Sequence, residues 1–192
     1  MDGILQLLTS LGVSAPAGFN AYLALLLVGF GGRVGWIHLA EPYSALQSIP
    51  VLIALLVLLT IEIVADKIPA LDSVNDLVGT VVRPVSGAIL FAASNHIITD
   101  PAPVVSLALG GLAAGGLHAF KAGTRPVWTA STAGLANPVV SVFEDLFVGT
   151  EVILGMLAPV LALIVLLLML GLVGYLLLRL RRGVRRRLGV LR

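Results

Sequence analysis

Cysteine is missing from all 192 residues, which excludes a disulfide framework, thiol catalysis and any cysteine-ligated metal. Charge is nearly as scarce. Only 11% of residues are charged, against about 25% in soluble domains. A soluble fold of this length could not cover its surface with so few. Histidine occurs three times, and no His–Glu cluster has the spacing of a zinc site. No G-x-S-x-G elbow, H-E-x-x-H pair or phosphate-binding loop occurs. The chain therefore does not read as an enzyme, and acid catalysis by membrane-embedded carboxylates is the one route left open. No cofactor is implied. The N-terminus lacks the basic stretch of a signal peptide and carries Asp2 instead, so it is expected to be retained.

Apolar sequence is what the chain has in excess: 58% hydrophobic residues and a mean hydropathy of +1.07. This predicts an all-α, polytopic transmembrane bundle in one domain over 1–181, followed by a basic cytoplasmic tail at 182–192. A span needs roughly 20 apolar residues. Six are expected: 17–32, 50–65, 73–95, 103–121, 130–148 and 152–178. Residues 2–12 are too short to cross and are expected to lie in the interface or form a re-entrant half-helix. In "LALGGLAAGGLHAF", Gly111 and Gly115 have the spacing that lets helix backbones approach closely, which places that helix at the bundle centre. Trp36 and Trp128 fall where interfacial aromatic residues sit, near opposite faces.

Seven of the twelve basic residues lie in the last fourteen, "RLRRGVRRRLGVLR". Basic loops stay inside, so the C-terminus is expected in the cytoplasm of a cell whose inner membrane holds the protein. Counting six spans back puts Lys67, Lys121, Arg125 and the N-terminus on the same side. The arginines directly follow a span, so they read as a topology signal and a contact for anionic lipids rather than for nucleic acid. A homo-oligomer or a membrane partner is left open.

Residues 65–85 align without a gap on 119–139, matching Ala65, Lys67, Pro84 and Val85 with Ala119, Lys121, Pro138 and Val139. The implied unit is a helix, a polar loop, and a helix containing a proline. Two crossings per unit put both polar loops on one face. Proline inside a helix frees a carbonyl, and the preceding Arg83 or Asn137 could serve it.

The charges concentrate around "EIVADKIPALDSVND". Two readings fit them. In one, Glu62, Asp66, Glu144, Asp145 and Asn137 line a polar pathway or ion site. Glu62 lies one turn inside the membrane and Glu144 and Asp145 near the other face; carboxylates at two depths can pass a proton or bind a hard cation. In the other, Lys67, Asp72, Asp76, Arg83, Lys121 and Arg125 form an ionic clasp between two hairpins, with Asp72 and Arg125 as one candidate pair. Ionisable groups at membrane depth face the bundle interior and find partners there. His118 could relay protons or simply hydrogen-bond. Any metal is left unspecified.

"SAPAGFNAYLALLLVGFGGRVGW", "EIVADKIPALDSVNDLVGTVVRPVSGAIL" and "HAFKAGTRP" followed by "NPVVSVFEDL" resemble the defining blocks of a bacterial membrane family catalogued as domain of unknown function 4126. The resemblance spans most of 14–148. It implies that the family's polar positions are Glu62, Asp66, Lys67, Asp72, Asp76, Arg83, Lys121, Arg125, Asn137, Glu144 and Asp145. It implies no activity. The chain departs from the family in "PVWTASTAGLANP", where N-T-S-P-E-P is expected. "EIVADKIP" is also similar to the E-x-G-D-K motif of a cation-exchanger family whose acids bind calcium or manganese, but with one extra residue and no glycine. The leading expectation is a small transporter or channel with a charged intramembrane site. The alternative is a structural or accessory membrane protein held by its clasp.

Overall fold

The computed structural model of the chain describes residues 2–66, 69–94, 103–132, 135 and 137–189. Among these there are seven α-helices and no strand: α1 (Asp2–Ser14), α2 (Ala21–Arg33), α3 (Ile49–Ala65), α4 (Pro69–Ser94), α5 (Pro103–Thr132), α6 (Asn137–Leu157) and α7 (Pro159–Gly189). Proline sets most of the starts. Pro69, Pro103 and Pro159 are the first residues of their helices, and Pro50 and Pro138 the second. Proline's fixed φ suits the first turn, where its missing N–H is not needed.

Three stretches are long and apolar enough to cross a membrane: Asn75–Ser94, Val104–Val127 and Pro159–Leu176. Helices α2 and α3 are apolar but shorter, at 13 and 17 residues. The surface is inverted relative to a water-soluble protein. Ile53, Leu56, Val57 and Ile61 of α3 are exposed, while its one charge, Glu62, is buried. Leu167, Leu168 and Leu172 of α7 also face outward. Charges inside and leucine outside suit lipid and oppose water. The chain is a helical membrane protein.

Several boundaries differ from the sequence reading. Helix α5 does not stop near Lys121 but continues through Pro126 to Thr132. Helix α6 begins at Asn137 rather than 130, so Pro138 opens a helix instead of interrupting one. The interior prolines are Pro84 and Pro126. Helix α7 runs from Pro159 to Gly189.

The first two helices form a hairpin that turns back inside the bundle. A Cβ on Gly12 would lie 2.9 Å from Gly155 Cα, whereas Phe19 stacks edge-on against Phe147 at 5.7 Å. The chain from α1 onward therefore runs antiparallel to α6. It passes through a buried 3-10 turn, Ala15–Gly18. Asn20 is extended and reverses the direction, and its side chain caps α2 by accepting from the Leu23 N–H at 2.9 Å. Asn20 meets Asp145 and Gly31 lies against Met156, so α2 runs parallel to α6. Residues 2–12 are thus one arm of a turned-back hairpin, the re-entrant alternative of the two expected. The start of α1 lies at the end of the bundle where α6 finishes. Helix α7 packs Ala162 near Gly12 and brings Val173 and Leu176 to the level of Glu144, so it finishes at the opposite end. The α1 arm thus adds a pass along the bundle that the six-span count omits.

Helices α3 and α4 meet at Glu62 and Arg83, and α5 and α6 at Lys121 and Glu144. The seam between α4 and α5 is closed by Gly87, Gly110 and Ala114. A Cβ on Gly110 would collide with the Gly87 carbonyl. Gly111 and Gly115 sit one step round the helix, with 3.5 Å of room against Pro84, so the close approach uses neighbours of the glycines expected. Helix α4, half buried over its apolar stretch, is more central than α5, one third buried.

Candidate charged centre

The last turn of α3, the first half of α4, the middle of α5 and the start of α6 meet at one level. Hydrophobic residues on their outer faces leave the inner faces to charge. Arg83, 1% exposed, reaches three partners. Its Nη2 lies 3.2 Å from Glu62 Oε1, and its Nη1 lies 3.2 Å from Asp76 Oδ1 and 2.9 Å from His118 Nδ1. Arginine can only donate, so His118 Nδ1 accepts. Its Nε2 then carries the proton and faces Thr80 Oγ1 at 3.2 Å. His118 is a neutral orienting group for Arg83.

Arg125 continues the chain of charges, with Nη1 2.9 Å from Asp76 Oδ2 and Nη2 3.7 Å from Asp66 Oδ2. Asp66 also accepts from Asn75 Nδ2 at 2.7 Å and from Ser141 Oγ at 2.9 Å. Lys121, 2% exposed, sits 4.0 Å from Asp66 Oδ2 and 2.9 Å from Glu144 Oε2. The Glu144 contact is close but poorly directed, since Glu144 Oε2 makes no hydrogen bond. The directed bond of Lys121 goes to the Phe19 carbonyl at 3.0 Å. Beside it, Asn20 Nδ2 donates to Asp145 Oδ1 at 2.8 Å. The tip of the first hairpin is thus held at the charged centre by a lysine on one side and a carboxylate on the other.

Among the described residues, the connected set holds four acids (Glu62, Asp66, Asp76, Glu144) and three bases (Arg83, Lys121, Arg125). Among the same residues, Glu62 Oε2 and Arg83 Nε are buried without a hydrogen-bond partner. A cavity of about 310 Å³ opens beside Glu144, walled mainly by Phe19, Phe120, Phe143, Phe147 and Met169. Among the described residues, no three histidine or acidic side chains converge to hold a metal ion.

Part of each expected group meets the other: Glu62, Asp66 and Glu144, assigned to a pathway, pair with Arg83, Lys121 and Arg125, assigned to a clasp, and Asp76 of the clasp pairs with Arg83 and Arg125. Glu144 is not near the far face: α6 starts seven residues later than expected, which leaves Glu144 two turns from the same end. Asp145 stands apart from the ion pairs, bonded to Asn20. Asn137 is outside the centre, exchanging hydrogen bonds with Thr129 at 3.0 and 3.2 Å. Arg83 turns to acids and His118 rather than to a carbonyl freed by Pro84. Lys67 and the side chain of Asp72 lie outside the described residues; Arg125 pairs with Asp76 and Asp66. Sequence reasoning missed Asn20, Asn75, Ser141 and Glu151. Asn20 alone carried a signal, a capping residue immediately before an apolar helix.

The family model described as "Domain of unknown function (DUF4126)" matches residues 7–179. No curated protein and no solved structure matches the chain.

Proposed function

The chain belongs to the DUF4126 family, and we propose that it is a small transporter or channel for protons or cations, with the charged centre as its ion site. The observation that carries this reading is the buried turn at Phe19–Asn20. Non-helical backbone at membrane depth is tolerated only where it is buried in protein or lines a cavity. Transporters place such interrupted helices where ions or substrates bind. Here Lys121 holds the carbonyl of the turn and Asp145 faces the start of α2. An ion site needs a negative charge for a proton or cation to neutralise. Glu62 is the group best placed to carry it, with one oxygen on Arg83 and the other buried and unbonded. In this reading the arginine-rich end of α7 lies in the cytoplasm of a bacterial cell, against anionic lipid, and the start of α1 faces the other side.

The test is ion flux in proteoliposomes. Glu62→Gln is nearly isosteric and still hydrogen-bonds, so it should fold and lose flux or its pH dependence. Flux equal to the parent at every pH would remove Glu62 as the coupling group. A second reading has its own support. Arg83, Lys121 and Arg125 each bridge two acids, and together they tie α3, α4, α5 and α6. A clasp alone predicts that Glu62→Gln lowers stability and that the parent carries no flux.

A further inference from the structure

Glu151 belongs to none of these contacts. It lies on α6 with no exposed surface, and neither carboxylate oxygen has a hydrogen-bond partner among the described residues. Its position follows from two contacts that bracket it. Phe147, four residues before, packs on Phe19; Gly155, four residues after, packs on Gly12. Four residues are about one helical turn, so Glu151 shares that face and points at the α1 arm where it changes to the 3-10 turn Ala15–Gly18. Its neighbours along the face, Val148 and Val152, are fully buried and apolar.

Among the described residues, no charge stands opposite it. Helix α1 carries only Asp2, at its far end, and the 3-10 turn carries no titratable group. On α2 the titratable residues are Tyr22, near the hairpin tip, and Arg33, at the last turn. Helix α7 has none before Tyr175. On α5, His118, Lys121 and Arg125 are committed at the charged centre. On α6 itself, Glu144 and Asp145 are almost two turns away and face Lys121 and Asn20. An isolated carboxylate in such surroundings neutralises rather than remaining charged. A hard cation asks for about six oxygen ligands, which this apolar face does not offer. A proton asks for none.

We propose that Glu151 is a proton-binding site, loaded as the carboxylic acid in this arrangement and exchanging with water when the α1–α2 hairpin shifts. The second half follows from its position: the arm covering Glu151 is the one whose tip rests on the charged centre. The inference does not rest on the transport reading, because a proton can be bound and exchanged without net flux.

Infrared spectroscopy of the purified protein in lipid tests it. The parent should show the carbonyl stretch of an un-ionised carboxylic acid at neutral pH, weaker in Glu151→Gln by one group's intensity, and the component lost should shift on transfer to D₂O without unfolding. No such band, or a band of undiminished intensity in Glu151→Gln, overturns the proposal. A band that never shifts in D₂O overturns exchange and leaves an inert buried acid. Should Glu151→Gln fail to fold, a hydrophobic carbodiimide, which attacks un-ionised carboxyls in apolar surroundings, serves on the parent. Mass spectrometry should then find the adduct at Glu151. Adducts only at other acids would overturn the site.

Discussion

Arg83→Gln should be among the most damaging single changes in this chain, and the structure says by how much. The guanidinium is 1% exposed and Glu62 4%, so solvent screening cannot discount the pair. Removing one partner of a buried ion pair costs about 3–5 kcal/mol, because the other charge stays buried. Asp76 is partly protected, since Arg125 lies 2.9 Å away; Glu62 has no other described hydrogen bond to a base. On the scale of soluble proteins of this length, where 1 kcal/mol shifts Tm by about 2–4 °C, the loss corresponds to about 6–20 °C. The assay is thermal or chemical unfolding in a fixed lipid–detergent mixture. Adding Glu62→Gln to Arg83→Gln should recover more than half of the loss, because no uncompensated charge remains. Arg83→Lys should be intermediate, since an ammonium cannot fork to Glu62, Asp76 and His118 together. An Arg83→Gln protein within about 1 kcal/mol of the parent, well below the usual cost of stranding a buried charge, would refute the buried network.

Three other perturbations follow from the same geometry. Asn20→Ala removes a helix cap and strands Asp145, so it should cost about 2–4 kcal/mol. Asn20→Asp should also destabilise, and adding Asp145→Asn should rescue it; unfolding curves of the three variants decide. Gly110→Val should destabilise by at least about 1–3 kcal/mol because its side chain meets the Gly87 backbone, while Gly111→Ala should stay within about 0.5 kcal/mol. The reverse order would misplace the α4–α5 seam. Single cysteines at Ile4 and Val184 should be labelled by an impermeant thiol reagent from opposite sides of sealed vesicles. Labelling from the same side would contradict the α1 arm.

Composition made the all-helical membrane fold legible, while the charges left two readings open, a pathway through Glu62 and Asp66 and a clasp through Lys121 and Arg125. Helix ends were harder to read. "RPVWTASTAGLANP" looks like a loop followed by a helix with an internal proline. Helix α5 instead extends through most of it, and Pro138 opens α6, which moves Glu144 and Asp145 from one level to another. The first hairpin was hidden for a different reason. A turn buried at Phe19–Asn20 has no cluster of polar loop residues, because its backbone groups are satisfied by Lys121 and by the side chain of Asn20, far from water. Glu151 falls between two expected spans, 130–148 and 152–178, whereas it lies inside α6 on that helix's buried face. Periodicity gives the face a residue occupies but not whether a partner waits across it.

The absence of native cysteine makes the central claim, that the charged centre is a working ion site rather than a sealed clasp, open to one direct measurement. Ser141→Cys is a near-isosteric change at the middle of the centre, where Ser141 Oγ donates to Asp66 Oδ2 at 2.9 Å and is buried. It would be the only thiol in the chain. In reconstituted vesicles, a small water-soluble thiol reagent should modify it in the folded protein, faster in the presence of an ion gradient, because a working site must be reached by water. A thiol that reacts only after unfolding, with or without the gradient, would contradict the account and leave the network as a lock between helices.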